Sequence, residues 1–572
     1  MLLSSVKKLH MKFPKIYKIS LKNVLILEFI LWFSVLLGIF LRYINLDWGS
    51  PYYFHPDERN IIYSVTKLDL TTSLNPDFFA YGSLQIYIIY FVSLIYEFIK
   101  TGIVNETIFK VPFETAVLTA RSLSVFYSII SIPIGYLIAK KLNFSKELKN
   151  ILVLFLSFNT GLIQYAHFGT FESLLTLLCL LYCYFLLEFF QKKMRRYYIF
   201  SVITFGLLLS TKISTAVFGV FLMLPLIYLT FKIKTQKIQQ NHFIPFIKFS
   251  YYGFISIITI AAIYMLTNPF SILSFNNFQS SITYESRVAL GGLDVFYTGG
   301  FKETIPILYQ LTRVYPFLIN PLTTFLLVIS IVCISITFFK NKSKFSLKIL
   351  IPLSFLFLIF LSQAFMYVKW SRYYTPTIPF IYFVVLAASQ KMTKKVRNYF
   401  LAFVYLSLVV TIIQSVAFVI NTYLTKDTRV AADEWAVLNI PKDSPVISEI
   451  YDLGIVPFND NQLKISLFDF YSLENNPQLN RDLSYQINNS EYLILPSTRI
   501  QRSRINHPDI FRNGNVFYSS LTDIKKYSLL YQTPCNTLCK IAYYGNGMNY
   551  FEETAYVFDR PTISIYKINH DK

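Results

Sequence analysis

The chain has 572 residues, 54% of them hydrophobic, and a mean hydropathy of +0.45, which excludes an ordinary soluble domain. Long uncharged stretches, such as 150–171, 249–284 and 373–390, reach the roughly 17–25 residues that a helical membrane span requires. The net charge of +21 does not point to nucleic acid: residues 421–572 carry 15 Lys/Arg against 17 Asp/Glu, so the excess lies in the first 420 residues, much of it in short clusters between apolar runs.

In chain order, Lys7, Lys8, Lys12, Lys15, Lys18 and Lys22 precede the apolar run Val24 to Phe40, and no small-residue cleavage site follows it. This predicts a cytoplasmic N-terminus, residues 1–23, and an uncleaved first span. Just beyond the span stands Pro51-Tyr52-Tyr53-Phe54-His55-Pro56-Asp57-Glu58-Arg59-Asn60. Ionisable groups beside lipid are costly and usually functional. The same residues also suit a helix start, with Pro56 in the first turn and Asp57 and Glu58 facing the positive end of the dipole. Both readings stand at this point.

Five further basic clusters fix the expected topology: Lys140-Lys141-Lys146-Lys149, Lys192-Lys193-Arg195-Arg196, Lys232-Lys234-Lys237-Lys248, Lys340-Lys342-Lys344-Lys348 and Lys391-Lys394-Lys395-Arg397. With the N-terminus they hold 26 basic residues and one acid, Glu147. Placing all six inside predicts eleven spans, near 24–43, 116–139, 150–166, 170–190, 198–213, 215–230, 250–268, 321–339, 349–367, 374–390 and 399–420. Residues 421–572 then lie outside the membrane. The apolar run 84–100 breaks this parity if it crosses, so it is expected to be a partly inserted helix within an outer loop, 44–115.

Residues 198–230 must cross twice with about sixteen residues per leg, roughly 24 Å at 1.5 Å per residue, against a hydrocarbon core of ~30 Å. The turn at Thr211-Lys212-Ile213 should therefore sit below the membrane surface, where irregular backbone must line a cavity or be buried in protein. The turn containing His167 and Glu172 falls on the same face. Asp57, Glu172 and Lys212 thus converge from distant segments. A long loop, 269–320, carries Tyr284-Glu285 and Tyr297-Thr298-Gly299-Gly300-Phe301. Residues 421–572 read as a small α/β domain, with a helix at Arg429–Leu438 and strands at 446–448, 492–495 and 562–566. Cys535 and Cys539 are candidates for a disulfide in an exported domain, and a four-ligand metal site is less favoured there.

These residues resemble the GT-C membrane glycosyltransferases of family 39, the group of protein O-mannosyltransferases and aminoarabinose transferases. The likeness runs through Leu41-Arg42-Tyr43-Ile44-Asn45-Leu46 with His55-Pro56-Asp57-Glu58, then Asn75-Pro76-Asp77-Phe78-Phe79-Ala80-Tyr81-Gly82-Ser83-Leu84. Ala120-Arg121-Ser122-Leu123-Ser124, Thr170-Phe171-Glu172, Ser210-Thr211-Lys212 and Ser371-Arg372-Tyr373-Tyr374-Thr375-Pro376 continue it. In the exported domain it includes Asp427 to Ala432 and Val557-Phe558-Asp559-Arg560-Pro561. One departure is Glu172, often Asp in relatives.

The resemblance implies a GT-C fold of about 11 spans with a juxtamembrane helix (24–420) and an extracytoplasmic C-terminal domain (421–572). It implies inverting transfer from a polyprenyl-phosphate sugar to a lipid, glycan or protein hydroxyl on the outer face of the cell membrane, without a nucleotide sugar. Such chemistry needs a carboxylate base and fixed cations for the leaving phosphate. Asp57, Glu58 and Glu172 are the candidate catalytic carboxylates. Lys212 and Arg372 are the candidate phosphate cations, with Lys369, Tyr81, His55 and His167 as further substrate-binding candidates. No cofactor is required; a divalent metal on Asp57, His167 and Glu172 is a possible addition, since carboxylate and imidazole suit such ions. The rival class, a transporter or lipid-linked sugar flippase, predicts internal symmetry and broken helices at mid-membrane.

Overall fold

The computed structural model describes residues 21–101, 109–231, 243–293, 295–340, 347–460, 463–545 and 547–570. The lysines at 7–18, Lys232, Lys234, Lys237, Lys342, Lys344 and Glu106 lie outside the described residues. Helices begin with α1 (Leu21–Tyr43), α2 (Pro56–Thr66), α3 (Leu84–Thr101), α4 (Phe113–Lys141), α5 (Lys146–Phe158) and α6 (Thr160–Ala166). Next come α7 (Glu172–Lys192), α8 (Arg195–Thr211), α9 (Val220–Phe231), α10 (Phe243–Thr267), α11 (Phe270–Leu273) and α12 (Phe275–Leu290). The bundle ends with α13 (Tyr315–Leu318), α14 (Pro321–Lys340), α15 (Leu347–Ala364), α16 (Ile378–Ser389) and α17 (Lys394–Tyr423).

Helical structure thus occupies each of the eleven expected segments. Among the described residues, 7 helical stretches are long and apolar enough to cross a membrane, with Lys348–Ala364 a shorter one. Two further segments, 150–166 and 198–213, are interrupted for local reasons. Asn159 interrupts one of them: its side chain accepts from the Leu162 N–H at 2.7 Å and donates to the Leu318 carbonyl and the Tyr382 hydroxyl, capping α6 where α5 would otherwise continue. Lys212, extended at φ −155°, separates α8 from a 3₁₀ turn, Ile213–Gly219.

Helix α3 is one of the 7 by composition, yet its two ends meet the same end of the bundle. Gly82, just before it, donates to the Thr211 carbonyl at 3.1 Å. A Cβ on Gly82 would lie 1.9 Å from the Ser210 carbonyl oxygen, so only glycine allows this approach. At its other end, Glu97 accepts from the Thr115 hydroxyl in the first turn of α4. The far end of α4 is about 40 Å away at 1.5 Å per residue, where Lys141 pairs with Glu188 of α7 at 2.5 Å. Helix α3 therefore lies across one end and exposes Phe91, Ile95, Tyr96 and Ile99.

The C-terminal region holds α18 (Thr428–Asn439), β1 (Pro445–Glu449), β2 (Lys464–Phe468), α19 (Pro477–Asn488), β3 (Tyr492–Leu495), α20 (Arg499–Asn506), α21 (Arg512–Ser520), β4 (Tyr527–Gln532), α22 (Thr537–Ala542) and β5 (Ser564–Ile568). The sheet order is β2-β1-β3-β5-β4. Strands β2 and β3 run parallel to β1, and β5 runs antiparallel to β3 and β4. Between β4 and β5 the chain leaves the sheet and returns to the bundle. Cys539, Tyr543, Phe551 and Tyr556 join the buried apolar core of the helices, and Cys535 and Cys539 form a disulfide. Gln164 of α6 donates to the Thr554 carbonyl and to Asp559, which also accepts from the Tyr423 hydroxyl. The exported unit read from the sequence is thus a sheet domain with a long aromatic arm packed into the bundle.

Candidate active site

Helix α2 starts at Pro56 because His55 caps it, its Nδ1 accepting from the Glu58 N–H at 3.3 Å. The His55 ring lies between Phe168 and Phe558, with centroids 4.4 and 4.5 Å away, and burial pulls its pKa down to about 4. It is a neutral cap and lines neither cavity described below. The cap sets the two following carboxylates on different faces of the helix.

Asp57 faces open space. It pairs with the Arg372 guanidinium and accepts from the Tyr81 hydroxyl at 3.3 Å. Burial is the largest single influence and would raise its pKa, but the Arg372 charge, together with His55, the Tyr81 hydroxyl and Arg499, holds the carboxyl below the usual range. Arg372 also donates to the Tyr81 hydroxyl at 3.2 Å and stacks over Trp370 at 4.6 Å.

Glu58 faces the core. Its Oε1 accepts from Arg121 Nη2 at 2.7 Å, both its oxygens lie 3.1 Å from Arg121 Nε, and its Oε2 accepts from the Gly169 N–H at 2.8 Å. Arg121 spends its remaining Nη1 on the Leu46 and Trp48 carbonyls and lies over the Trp48 ring at 4.4 Å. With neither side chain exposed, Glu58 is a clamp joining the first loop, α4 and the turn before α7. It has no valence left for substrate. Arg121 stood in the sequence as a motif landmark only; an arginine inside an apolar span with no local acid signals a distant partner.

Two cavities meet at Ala80, Tyr81, Glu285 and Arg372. One, of about 210 Å³, is mostly apolar; α10, α12, the α8 turn and the end of α15 build it, and Lys212 is among its walls. The Lys212 ammonium sits over the Tyr373 ring at 4.1 Å and has no hydrogen-bond or ion-pair partner among the described residues. The other, of about 340 Å³, is polar and lies between α2 and the C-terminal domain. Asp57 and Trp370 face Arg429, Asp452, Arg499 and Glu553 across it. The sequence indicated Lys212, Arg372 and Asp57; Glu285, Arg499 and Glu553 were missed, because nothing local distinguishes them from surface charges.

Glu172 begins α7, is 2% exposed, and its Oε2 lacks a hydrogen-bond partner among the described residues. It lines neither cavity. Both His167 nitrogens lie 2.9 Å from backbone carbonyls, of Ile163 and Ile44, and its ring stacks on Tyr423 at 3.8 Å. Lys369 donates to the Tyr367 carbonyl at 3.0 Å and is likewise absent from both cavities. Asp57, His167 and Glu172 do not gather: among the described residues no three His, Cys, Asp or Glu side chains are arranged to hold a metal ion. Both imidazole nitrogens face backbone carbonyls, and a neutral ring donates to one of them.

The family of dolichyl-phosphate-mannose-protein mannosyltransferases matches residues 80–276, so over that stretch the chain matches the group to which the short motifs pointed. No curated protein matches the chain. Solved structures similar to this one include the Archaeoglobus fulgidus oligosaccharyltransferase in the apo form, at 11% identity and a TM-score of 0.45, with 94% of this chain and 88% of that chain covered. ArnT from Cupriavidus metallidurans bound to undecaprenyl phosphate has 11% identity and a TM-score of 0.44, covering 97% and 100%. The arabinofuranosyltransferase AftD from Mycobacteria has 12% identity and a TM-score of 0.38, covering 95% and 40%.

Proposed function

We propose that the protein is a membrane glycosyltransferase that moves a sugar from a polyprenyl-phosphate donor to an acceptor hydroxyl, with inversion. The observation that carries this reading is the meeting of an apolar cavity holding Lys212 with a polar cavity holding Asp57, at Tyr81 and Arg372. The first suits a prenyl chain and its phosphate, and the second suits a hydroxylated acceptor.

In this reading the acceptor oxygen attacks the anomeric carbon from the polar side. The bond from that carbon to the phosphate oxygen breaks, its electron pair leaves with the lipid phosphate, and the hydroxyl proton passes to Asp57. Lys212 and Arg372 meet the charge growing on the phosphate. Arg372 has one guanidinium for two anions. A donor phosphate that draws it away from Asp57 loosens their pair, so the carboxylate becomes a better base as the donor arrives. Tyr81 holds the Asp57 carboxylate in place, and Glu172 is buried nearby. The basic clusters support a cytoplasmic N-terminus and an extracytoplasmic site. A cysteine introduced at the exposed Tyr451, in a variant lacking Cys179, Cys183 and Cys333, then reacts with an impermeant maleimide in intact cells, whereas one at Lys395 does not; the reverse pattern inverts the topology.

The test is transfer by purified protein from a panel of synthetic prenyl-phosphate pentoses and hexoses to envelope lipid, glycan and peptide acceptors. A product with inverted anomeric configuration is expected. Movement of the lipid-linked sugar across vesicles without a new glycosidic bond makes the protein a flippase instead.

A further inference from the structure

A third cavity, of about 550 Å³, adjoins the polar one and shares Tyr297, Arg499 and Glu553 with it. The long loop forms one wall; α20 and the C-terminal arm form the others. Its charges do not cancel. Glu553 is spent on Arg499, which donates to both its oxygens at 2.9 and 2.7 Å. Glu552 points away, accepting from the Ser371 N–H and hydroxyl and from the Thr554 hydroxyl, and burial raises its pKa. Arg313 and Arg502 are left with backbone carbonyls: Tyr550 for both, and Phe551 for Arg502, which also bonds the Tyr556 hydroxyl. Neither arginine has a carboxylate within ion-pair distance among the described residues.

Arginines held to carbonyls keep their positive charge and a fixed direction for their free N–H groups, the arrangement that receives a carboxylate. Beside them stand broad aromatic faces. Arg313 lies 3.7 Å over the Tyr550 ring, which is 45% exposed, and the half-buried Tyr309 lines the same space. Tyrosine offers an apolar face and a polar tip, which fits the two sides of a pyranose, C–H face and hydroxyl edge. The described residues of its walls are helix and turn, and none belongs to a strand that could pair with an extended peptide.

We propose that this cavity binds an acidic glycan, a short sugar chain bearing carboxylates, with Arg313 and Arg502 on the carboxylates and the tyrosines against the rings. That this glycan is the acceptor rests on the transferase reading above; that it binds does not. A chain seated here reaches the polar cavity past Tyr297 and Arg499, so its leading hydroxyl arrives opposite Asp57.

The experiment measures calorimetric binding of trigalacturonic acid, neutral galactotriose and an acidic tripeptide to the full chain in detergent, without donor. The acidic trisaccharide should bind about tenfold or more tightly than the neutral one, in line with charge-assisted bonds, and the gap should narrow with salt. Asp57→Asn should leave this binding intact, so that loss of transfer and loss of binding are separable. Arg313→Gln and Tyr550→Ala should each weaken it. Arg502→Gln removes three bonds to the arm and Arg313→Gln only one, so Arg313→Gln, on a half-buried side chain, is the deciding variant. Equal binding of the two trisaccharides, unchanged binding by Arg313→Gln, or a tighter tripeptide overturns the proposal.

Discussion

Asp57 and Glu58 are neighbours in α2, and each meets an arginine from far along the chain, Arg372 and Arg121. Glu58 lies on the core face, where Arg121 and the Gly169 N–H fill its oxygens and no water reaches either side chain. Asp57 lies on the cavity face, where its side chain is 25% exposed and Arg372 17%. Two similar ion pairs therefore do opposite work. The closed pair holds three segments together, and the open one keeps a carboxylate and a guanidinium able to exchange partners. What separates them is the unspent hydrogen-bonding capacity and the free volume beside each pair; the residue types are nearly the same.

The largest effect that tests this contrast is on turnover. Asp57→Asn keeps shape and the helix start but removes the carboxylate proposed as base, so the transfer rate should fall about 10²–10⁴-fold, the usual span of general-base catalysis, with folding unchanged. Near-normal transfer would make Asp57 a helix-start residue and break the comparison. Glu58→Ala should act the other way. It strands Arg121 in the core, and loss of one partner of a buried pair costs about 3–5 kcal/mol, read as a drop in unfolding midpoint or failure to express. A stable Glu58→Ala protein with normal transfer would show that the clamp is dispensable.

A smaller effect is expected at Arg372. Lysine keeps the charge but not the planar fork, so Arg372→Lys should weaken donor binding by about tenfold and raise KM more than it lowers kcat. An unchanged KM would send the phosphate to Lys212 alone. The last test concerns a third buried carboxylate, one with no ion-pair partner among the described residues. Among the described residues Glu449 in β1 accepts only from the Tyr451 and Phe470 N–H groups, both at 3.2 Å, and burial pushes its pKa up to about 8. The folded domain thus binds a proton that the unfolded chain releases above its ordinary pKa of 4.5. This stability is full below 4.5 and is lost as pH rises toward 8. Glu449→Gln should flatten that slope in unfolding melts taken from pH 5 to 8; an unaltered slope would mean that the carboxyl is charged without an arginine.

Much of the molecule was legible before any coordinates. Span length and the basic clusters depend only on hydrocarbon thickness and on charge, both local properties, so each of the eleven expected segments is helical. Parity alone turned 84–100 into something other than a simple crossing, and the structure sets both ends of α3 at one end of the bundle. Two legs too short for the membrane pointed to a break at Lys212, where the structure has extended backbone between α8 and the 3₁₀ turn. These inferences need no knowledge of what packs against what.

Other features could be settled only by tertiary structure, because they turn on which way a side chain faces. Sequence spacing does not say that Asp57 opens on a cavity and Glu58 closes on Arg121, 63 residues away. Nor does it say that the His167 nitrogens face carbonyls of Ile163 and Ile44, or that an arm between β4 and β5 returns to the bundle beside Gln164. A carboxylate's role is fixed by its surroundings, and those surroundings come here from α4, the turn before α7, the loop after α15 and the C-terminal arm. Composition and period dictate the helices; long-range packing alone decides which of their charges remain free to react.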